Sequence, residues 1–288
     1  MGLFVGGPLL QPVGGAPAAP GFTLNEVSSA NPEGPQSPFR FDSFWRPDGG
    51  RVFTARGLDF EIAQLDVSPA WGIQPGDWSN RVTTAGISDI RSIWWSTGGT
   101  KLFVAQRVPS TIFRITGWDQ SATPFDLTVL GPATAKLFSP QAPGGPADFV
   151  WSADGLRMWM HWAGTTVPPT GLSTILEYIA TIPFDPVSLA NSFSASFAMD
   201  PDAGLDLHTW AFSTDGTKIY GMDSQFLVSW DLTIPFDITT AGNFQTGPTV
   251  AAADASIPRG IFVRPDNTDI YVAGDQGVFD MKAAWFRE

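Results

Sequence analysis

The chain has 288 residues, 43% hydrophobic and 15% charged, with 30 Gly, 25 Pro, 12 Trp, 22 Phe and no Cys. That excludes disulfides, thiol chemistry and a cysteine zinc site, and the length suits one large all-β unit. A formal net charge of −12 with 16 scattered Lys and Arg speaks against a nucleic-acid surface, and no stretch approaches the roughly 20 apolar residues of a membrane span.

Residues 1 to 20, MGLFVGGPLLQPVGGAPAAP, open the chain with Gly, Pro and apolar residues. They lack the basic n-region and long apolar core of a signal peptide, and Gly6 stands where a myristoylation signal needs Ser or Thr. A proline-stiffened apolar arm of this kind is suited to lie along a neighbouring subunit. The want of a leader counts against an extracellular or periplasmic bacterial scaffold. Residues 21 to 29, GFTLNEVSS, then read as one isolated strand.

From residue 44 onward one tract recurs: FWRPDGGRVFT at 44 to 54, WWSTGGTKLFV at 94 to 104, VWSADGLRMWM at 150 to 160, AFSTDGTKIYG at 211 to 221 and FVRPDNTDIYV at 262 to 272. Each copy is an apolar run, a turn of Asp-Gly type that tolerates positive φ, and a second apolar run, which together make a β-hairpin. The turns are centred on Asp48, Gly98, Asp154, Asp215 and Asp266, so successive copies lie 50, 56, 61 and 51 residues apart. Repeats of that length point to propeller blades or solenoid coils. Two columns carry bulky side chains, as two packed sheets require. Before the turn stand Trp45, Trp95, Trp151, Phe212 and Val263, and after it Phe53, Phe103, Trp159, Tyr220 and Tyr271.

A third strand-like run follows, as in TILEYIA at 174 to 180 and FLVSWDL at 226 to 232. After it comes TPFDL at 123 to 127, IPFDP at 182 to 186 or IPFDI at 234 to 238, with PAWGI at 69 to 73 and AAWF at 283 to 286 as degenerate forms. A fourth run such as NFQTGPTV at 243 to 250 completes four antiparallel strands, the content of a propeller blade. The fifth repeat reaches only its third strand before Glu288, and residues 21 to 29 are its simplest supplier of a fourth. Closure of this kind removes an exposed sheet edge, whereas an open stack of coils would need polar capping units at both ends. The expectation is an all-β, five-bladed β-propeller of four-stranded antiparallel blades over 21 to 288. Residues 21 to 29 close the last blade, and 1 to 20 form an extended N-terminal assembly arm.

The pairing of FSTDGTKIY at 212 to 220 with WDLTIPFDITTAG at 230 to 242 resembles propeller repeats of tailed-bacteriophage structural and tail-associated proteins. All five repeats share the resemblance, the fourth most closely, while Gly98 and Asn267 depart from the Asp-Gly pattern of the turn. The first half also occurs in lactonase-like and TolB-like propellers, and the PFD half is the more specific. The resemblance implies a virion component made in the host cytoplasm, with other virion proteins as partners through residues 1 to 20.

Candidate chemistry is sparse. Five-bladed propellers include glycoside hydrolases, which work through paired carboxylates. The five Glu lie outside the innermost strands, which leaves Asp42 and Asp148, both six residues before a turn, in a column completed by Ser92, Thr209 and Gly260. On the first and third blades, these two aspartates are expected to stand well apart around the axis. One position earlier lie Arg91, His208 and Arg259, so the channel mouth could hold a sugar or an anion, or simply be solvated strand-entry residues. Asp200, Asp202 and Asp206 around Gly204 alternate as calcium ligands do, but without the bidentate Glu of an EF-hand, and a plain acidic loop is the competing reading. His161 and His208 have no partner His or Cys in sequence for a transition metal. Trp71, Trp78, Trp118 and Trp162, outside the repeat columns, either pack the blades or offer a host-surface glycan a stacking face. The turn and PFD aspartates cap their own backbone. The reading is a non-enzymatic structural or attachment component of a bacteriophage virion, with no cofactor beyond calcium, and the alternative is a carbohydrate-binding or carbohydrate-active propeller.

Overall fold

A computed structural model describes residues 23–30, 40–56, 61–71, 81–83, 89–108, 112–128, 130–138, 145–163, 173–199, 207–222, 226–249, 257–267, 269–275 and 281–287. The arm at 1 to 20, the acidic cluster Asp200, Asp202 and Asp206, and Trp78 lie outside these residues. Strand β1 (Thr23–Ala30) precedes the repeats. The first repeat supplies β2 (Arg40–Trp45), β3 (Arg51–Arg56), β4 (Glu61–Asp66) and β5 (Arg81–Thr83). The second gives β6 (Ile90–Trp95), β7 (Lys101–Val108), β8 (Ile112–Asp119) and β9 (Ala133–Phe138), and the third β10 (Gly145–Trp151), β11 (Arg157–Ala163), β12 (Thr174–Ile179) and β13 (Ala195–Ala198). Then follow β14 (Thr209–Phe212), β15 (Lys218–Met222), β16 (Phe226–Leu232) and β17 (Ala241–Thr249), and finally β18 (Ile257–Val263), β19 (Asp269–Asp275) and β20 (Met281–Arg287).

The fold is an all-β propeller. Its described strands form five four-stranded sheets in which neighbours pair antiparallel in chain order, except that β1 completes the sheet of β18, β19 and β20. There Thr23 lies opposite Arg287 and Ala30 opposite Met281. AAWF is therefore part of β20, with Trp285 opposite Asp269, and not a counterpart of the PFD turn that follows the third strand elsewhere.

Sheets pack face to face because each buries bulky side chains on both sides. The buried apolar residues gather into clusters between successive sheets, and one of them joins the last sheet to the first through Tyr271 against Trp45, Val52, Ala63 and Leu65. The first strands β2, β6, β10, β14 and β18 contact one another in sequence, and β18 returns to β2. Both aromatic columns lie in these interfaces: Trp45, Trp95, Trp151 and Phe212 are buried, as are Phe53, Phe103, Trp159, Tyr220 and Tyr271.

The two repeat signatures are halves of one device. The turn glycines Gly49, Gly99, Gly155 and Gly216 have φ between 68° and 72°, a region that glycine enters without steric cost. Over each lies an aromatic ring at a left-handed φ of its own: Trp71, Phe125, Phe184 and Phe236. The amide N–H of each aromatic donates to the glycine carbonyl at 2.9 to 3.1 Å. A Cβ on Gly99 would stand 2.2 Å from the Phe125 ring, so the ring closes over a gap that only glycine leaves. PAWGI thus belongs with PFD, Trp71 replacing Phe.

The aspartates of both signatures cap backbone. Asp48, Asp154 and Asp215 accept the N–H two residues on, from Gly50, Leu156 and Thr217. Asp185 and Asp237 cap the short 3-10 turns Pro186–Ser188 and Ile238–Thr240. In the fifth copy Asn267 takes the glycine's place at φ 58°, and its side chain accepts the Thr214 N–H of the preceding repeat at 2.8 Å.

Candidate functional site

Four of the five inner strands begin with a departure from regular pairing. In β2, β6, β10 and β18 the register shifts immediately before Asp42, Ser92, Asp148 and Gly260, so Phe41, Arg91, Ala147 and Arg259 are extra residues in the ladder. A bulge of this kind re-aims the next side chain. In the fourth repeat the strand starts at Thr209 itself, after a hydrogen bond from His208 N–H to the Met222 carbonyl.

The column so re-aimed meets at the axis. Ser92 Oγ lies 2.7 Å from Asp42 Oδ2 and 2.7 Å from Asp148 Oδ1, and Thr209 Oγ1 donates to Asp148 Oδ2 at 3.0 Å. Backbone N–H groups complete the set: Ser43 and Ile93 donate to Asp42, and Phe149 to Asp148. Gly260 supplies the gap beside Asp42, since a Cβ there would stand 2.3 Å from Oδ1. A hydrogen-bonded belt therefore ties four inner strands, with the fifth closing against it. Far from standing well apart, Asp42 and Asp148 are separated by one hydroxyl, because the intervening strand places Ser92 between them. Ser92, Thr209 and Gly260 are members of the same constellation, not empty positions.

A serine hydroxyl has a single proton to give. Bonded to two carboxyl groups, Ser92 donates to one and accepts from the other, so one of the pair carries a proton. Electrostatics agree. Burial, and then the charge of Asp148, holds the Asp42 carboxyl well above its ordinary range. Burial pushes Asp148 up to about 6, against the hydrogen bonds from Ser92, Thr209 and backbone that pull it down. Among the described residues no cation acts on either group. Two carboxyls sharing one proton resolve a like-charge conflict that burial would otherwise make severe.

The neighbouring charged residues do not join the belt. Arg91 pairs with Asp89 at 2.8 Å. The Arg259 side chain lies outside the described residues. His208 is half-buried, near His161, a fully buried imidazole opposite Asp148 in the ladder. Both His161 ring nitrogens lack a hydrogen-bond partner, and burial pushes its pKa down to about 3, so it is neutral. Among the described residues no group of three or more His, Asp or Glu is gathered as a metal site requires.

The tryptophans outside the columns resolve into packing. Trp118 and Trp162 are buried. Trp71 is half-buried between Trp45, Phe262 and Tyr271, with the Arg264 guanidinium 5.1 Å from its ring. Of Trp71, Trp118 and Trp162, none is a fully exposed stacking face.

Fold and axis together define a propeller whose ring is pinned at its centre by a proton-sharing carboxyl pair. No family model matches the chain, and no curated protein matches it. Among solved structures it is similar to a functionally unknown protein from Desulfotomaculum acetoxidans, at 13% identity and TM-score 0.48, covering 81% of this chain and 62% of that one. It is also similar to the Cps50 (Swd1) β-propeller domain of Myceliophteria thermophila, at 12% identity and TM-score 0.47, covering 91% and 99%. The chain thus spans less than two thirds of the Desulfotomaculum protein. Among the described residues no helix is long and apolar enough to cross a membrane.

Proposed function

We propose that this chain is a non-enzymatic structural or attachment component of a bacteriophage particle, a five-bladed propeller anchored through an arm at residues 1 to 20. The observation that carries the non-catalytic part is the commitment of Asp42 and Asp148 to the belt, where Ser92, Thr209 and backbone N–H groups from adjacent strands already engage them. A carboxyl that holds strands together is poorly placed to deliver a proton to a substrate. The virion assignment rests on the resemblance of FSTDGTKIY and WDLTIPFDITTAG to phage propeller repeats. Propellers of this size present rigid loops on both faces, which suits attachment. Mass spectrometry of purified virions should find the protein, and deletion of residues 1 to 20 should leave a folded propeller that fails to incorporate. Absence from particles, or normal incorporation of the truncated chain, would refute the assignment.

One observation favours the carbohydrate-active alternative. The belt borders an axial cavity of about 640 Å³, and a carboxyl titrating at about 6 next to a second one is what acid/base chemistry uses. Incubation with host-surface polysaccharide decides between the two. The structural reading expects no release of reducing ends, and turnover abolished by Asp42→Asn with Asp148→Asn would establish the enzyme.

A further inference from the structure

The axial cavity runs from the belt to the hairpin turns. Asp42 and Asp148 line one end, and Thr97, Ser152, Asp154, Ser213 and Thr214 the other. Its volume, about 640 Å³, is that of a small-molecule site. Its shape follows from the column two residues beyond the belt: Phe44, Trp94, Val150, Ala211 and Phe262. Phe44 packs edge-on against Trp94 at 6.3 Å and against Phe262 at 5.4 Å, so aromatic rings fill the axis from three inner strands. The other two offer only Val150 and Ala211, and the space lies on their side.

We infer that this cavity binds a small organic cation, a protonated amine or quaternary ammonium on an apolar body. Charge is the first reason. Asp42 and Asp148 together carry one negative charge that meets no cation among the described residues: their partners there are hydroxyls and backbone N–H groups. Among the described residues the other strands around them add none. Arg91 is engaged by Asp89, Thr209 and Gly260 are uncharged, and His161 is neutral, while His208 is half-buried beside it. At the far end Asp154 caps its own turn, and Arg157, about half exposed, stands 4.0 Å from Glu177. The walls are the second reason. Aromatic rings attract ammonium groups and favour an apolar body, whereas a metal ion would need further oxygen ligands in place of rings. An ammonium above the belt neutralises the single negative charge of the pair and favours that singly protonated state over the doubly protonated one, so binding at mildly acid pH couples to release of one proton while the shared proton stays.

The test uses the whole chain, with benzylammonium as probe and benzyl alcohol as its uncharged counterpart, read by tryptophan fluorescence and titration calorimetry. Benzylammonium should bind about tenfold or more tightly than the alcohol, and its affinity should rise from pH 5 to pH 8. Near pH 6 the heat should depend on the buffer, because a proton is released. Val150→Trp, which fills the cavity, should abolish binding, and the wild-type comparison stands even if that variant does not fold. Equal binding of the alcohol, no binding of benzylammonium, an affinity that does not rise with pH, or tighter binding of methyl glucoside would each overturn the inference.

Discussion

At the hairpin turns and on the axis, the same residue type works in opposite ways. Asp48, Asp154 and Asp215 are exposed, accept their own backbone N–H, and have carboxyls held below the usual range by hydrogen bonds from Arg46, Ser152 and Thr217 with their neighbours. Asp42 and Asp148 are buried, bridge separate strands, and are raised by that burial. The turns recur because every hairpin meets the same local problem. The axis is met once by all the inner strands, so its residues must differ to complement one another: an acid, a hydroxyl, an acid, a hydroxyl and a glycine.

The largest expected effect comes from breaking the axis. Asp148→Ala takes the acceptor from the Thr209 hydroxyl and the Phe149 N–H and leaves Ser92 with Asp42 alone, cutting the belt between strands at a buried site. The loss should be about 3–5 kcal/mol by urea denaturation. A loss under about 1 kcal/mol would mean that the belt adds little to ring closure.

Next in size is the turn device, where adjacent glycines make the comparison sharp. Gly99→Ala drives a Cβ into the Phe125 ring at a φ of 68° and should cost about 2 kcal/mol or more. Gly98→Ala, whose Cβ would meet nothing nearer than 3.9 Å, should change stability by about 0.5 kcal/mol or less. Equal effects would show that the ring over the turn is not what selects glycine.

A pH scan separates the two regions by sign. The turn carboxyls have lowered folded pKa values, so their contribution is present above about pH 4 and lost as pH falls further. The axial carboxyls have raised ones, so they favour folding most below about pH 4, and that advantage is lost as pH rises through about 6 for Asp148, with Asp42 acting in the same direction. Thermal denaturation should therefore show a maximum on the acid side of neutrality. Asp148→Asn should flatten the alkaline limb and leave the acid limb. The smallest effect is expected for Lys218→Ala, which removes an ion pair to the partly exposed Asp231: about 0.5 kcal/mol, and less in high salt.

Strand content and pairing were legible because they are written locally and repeated. The apolar columns, the Asp-Gly turns and the PFD signature each recur, and the closing strand read at 21 to 29 falls at Thr23–Ala30. The belt was half legible. Alignment on the turn put Asp42, Ser92, Asp148, Thr209 and Gly260 in one column, but Ser92, Thr209 and Gly260 looked inert because each is unremarkable alone. For Ser92 and Gly260, as for the two aspartates, the role depends on the bulge before them, which leaves no signature in the sequence: Phe41, Arg91, Ala147 and Arg259 share no chemistry. The same bulge explains why Arg91 sits in an adjacent column and yet turns to Asp89. AAWF was misread because its composition resembles the PFD turn while its place, paired along β19, is that of a strand.

The central claim is that one proton is shared across Ser92 between two buried carboxyls. Carboxyl carbon NMR of the aspartate side chains, followed from pH 4 to pH 9 with Asp42 and Asp148 assigned by their Asn variants, tests it most directly. The account predicts that at pH 7 one carboxyl of the pair is still protonated while those of Asp48, Asp154 and Asp215 are ionised, and that Ser92→Ala alters only the pair's titration. Full ionisation of both Asp42 and Asp148 by pH 5 would contradict it.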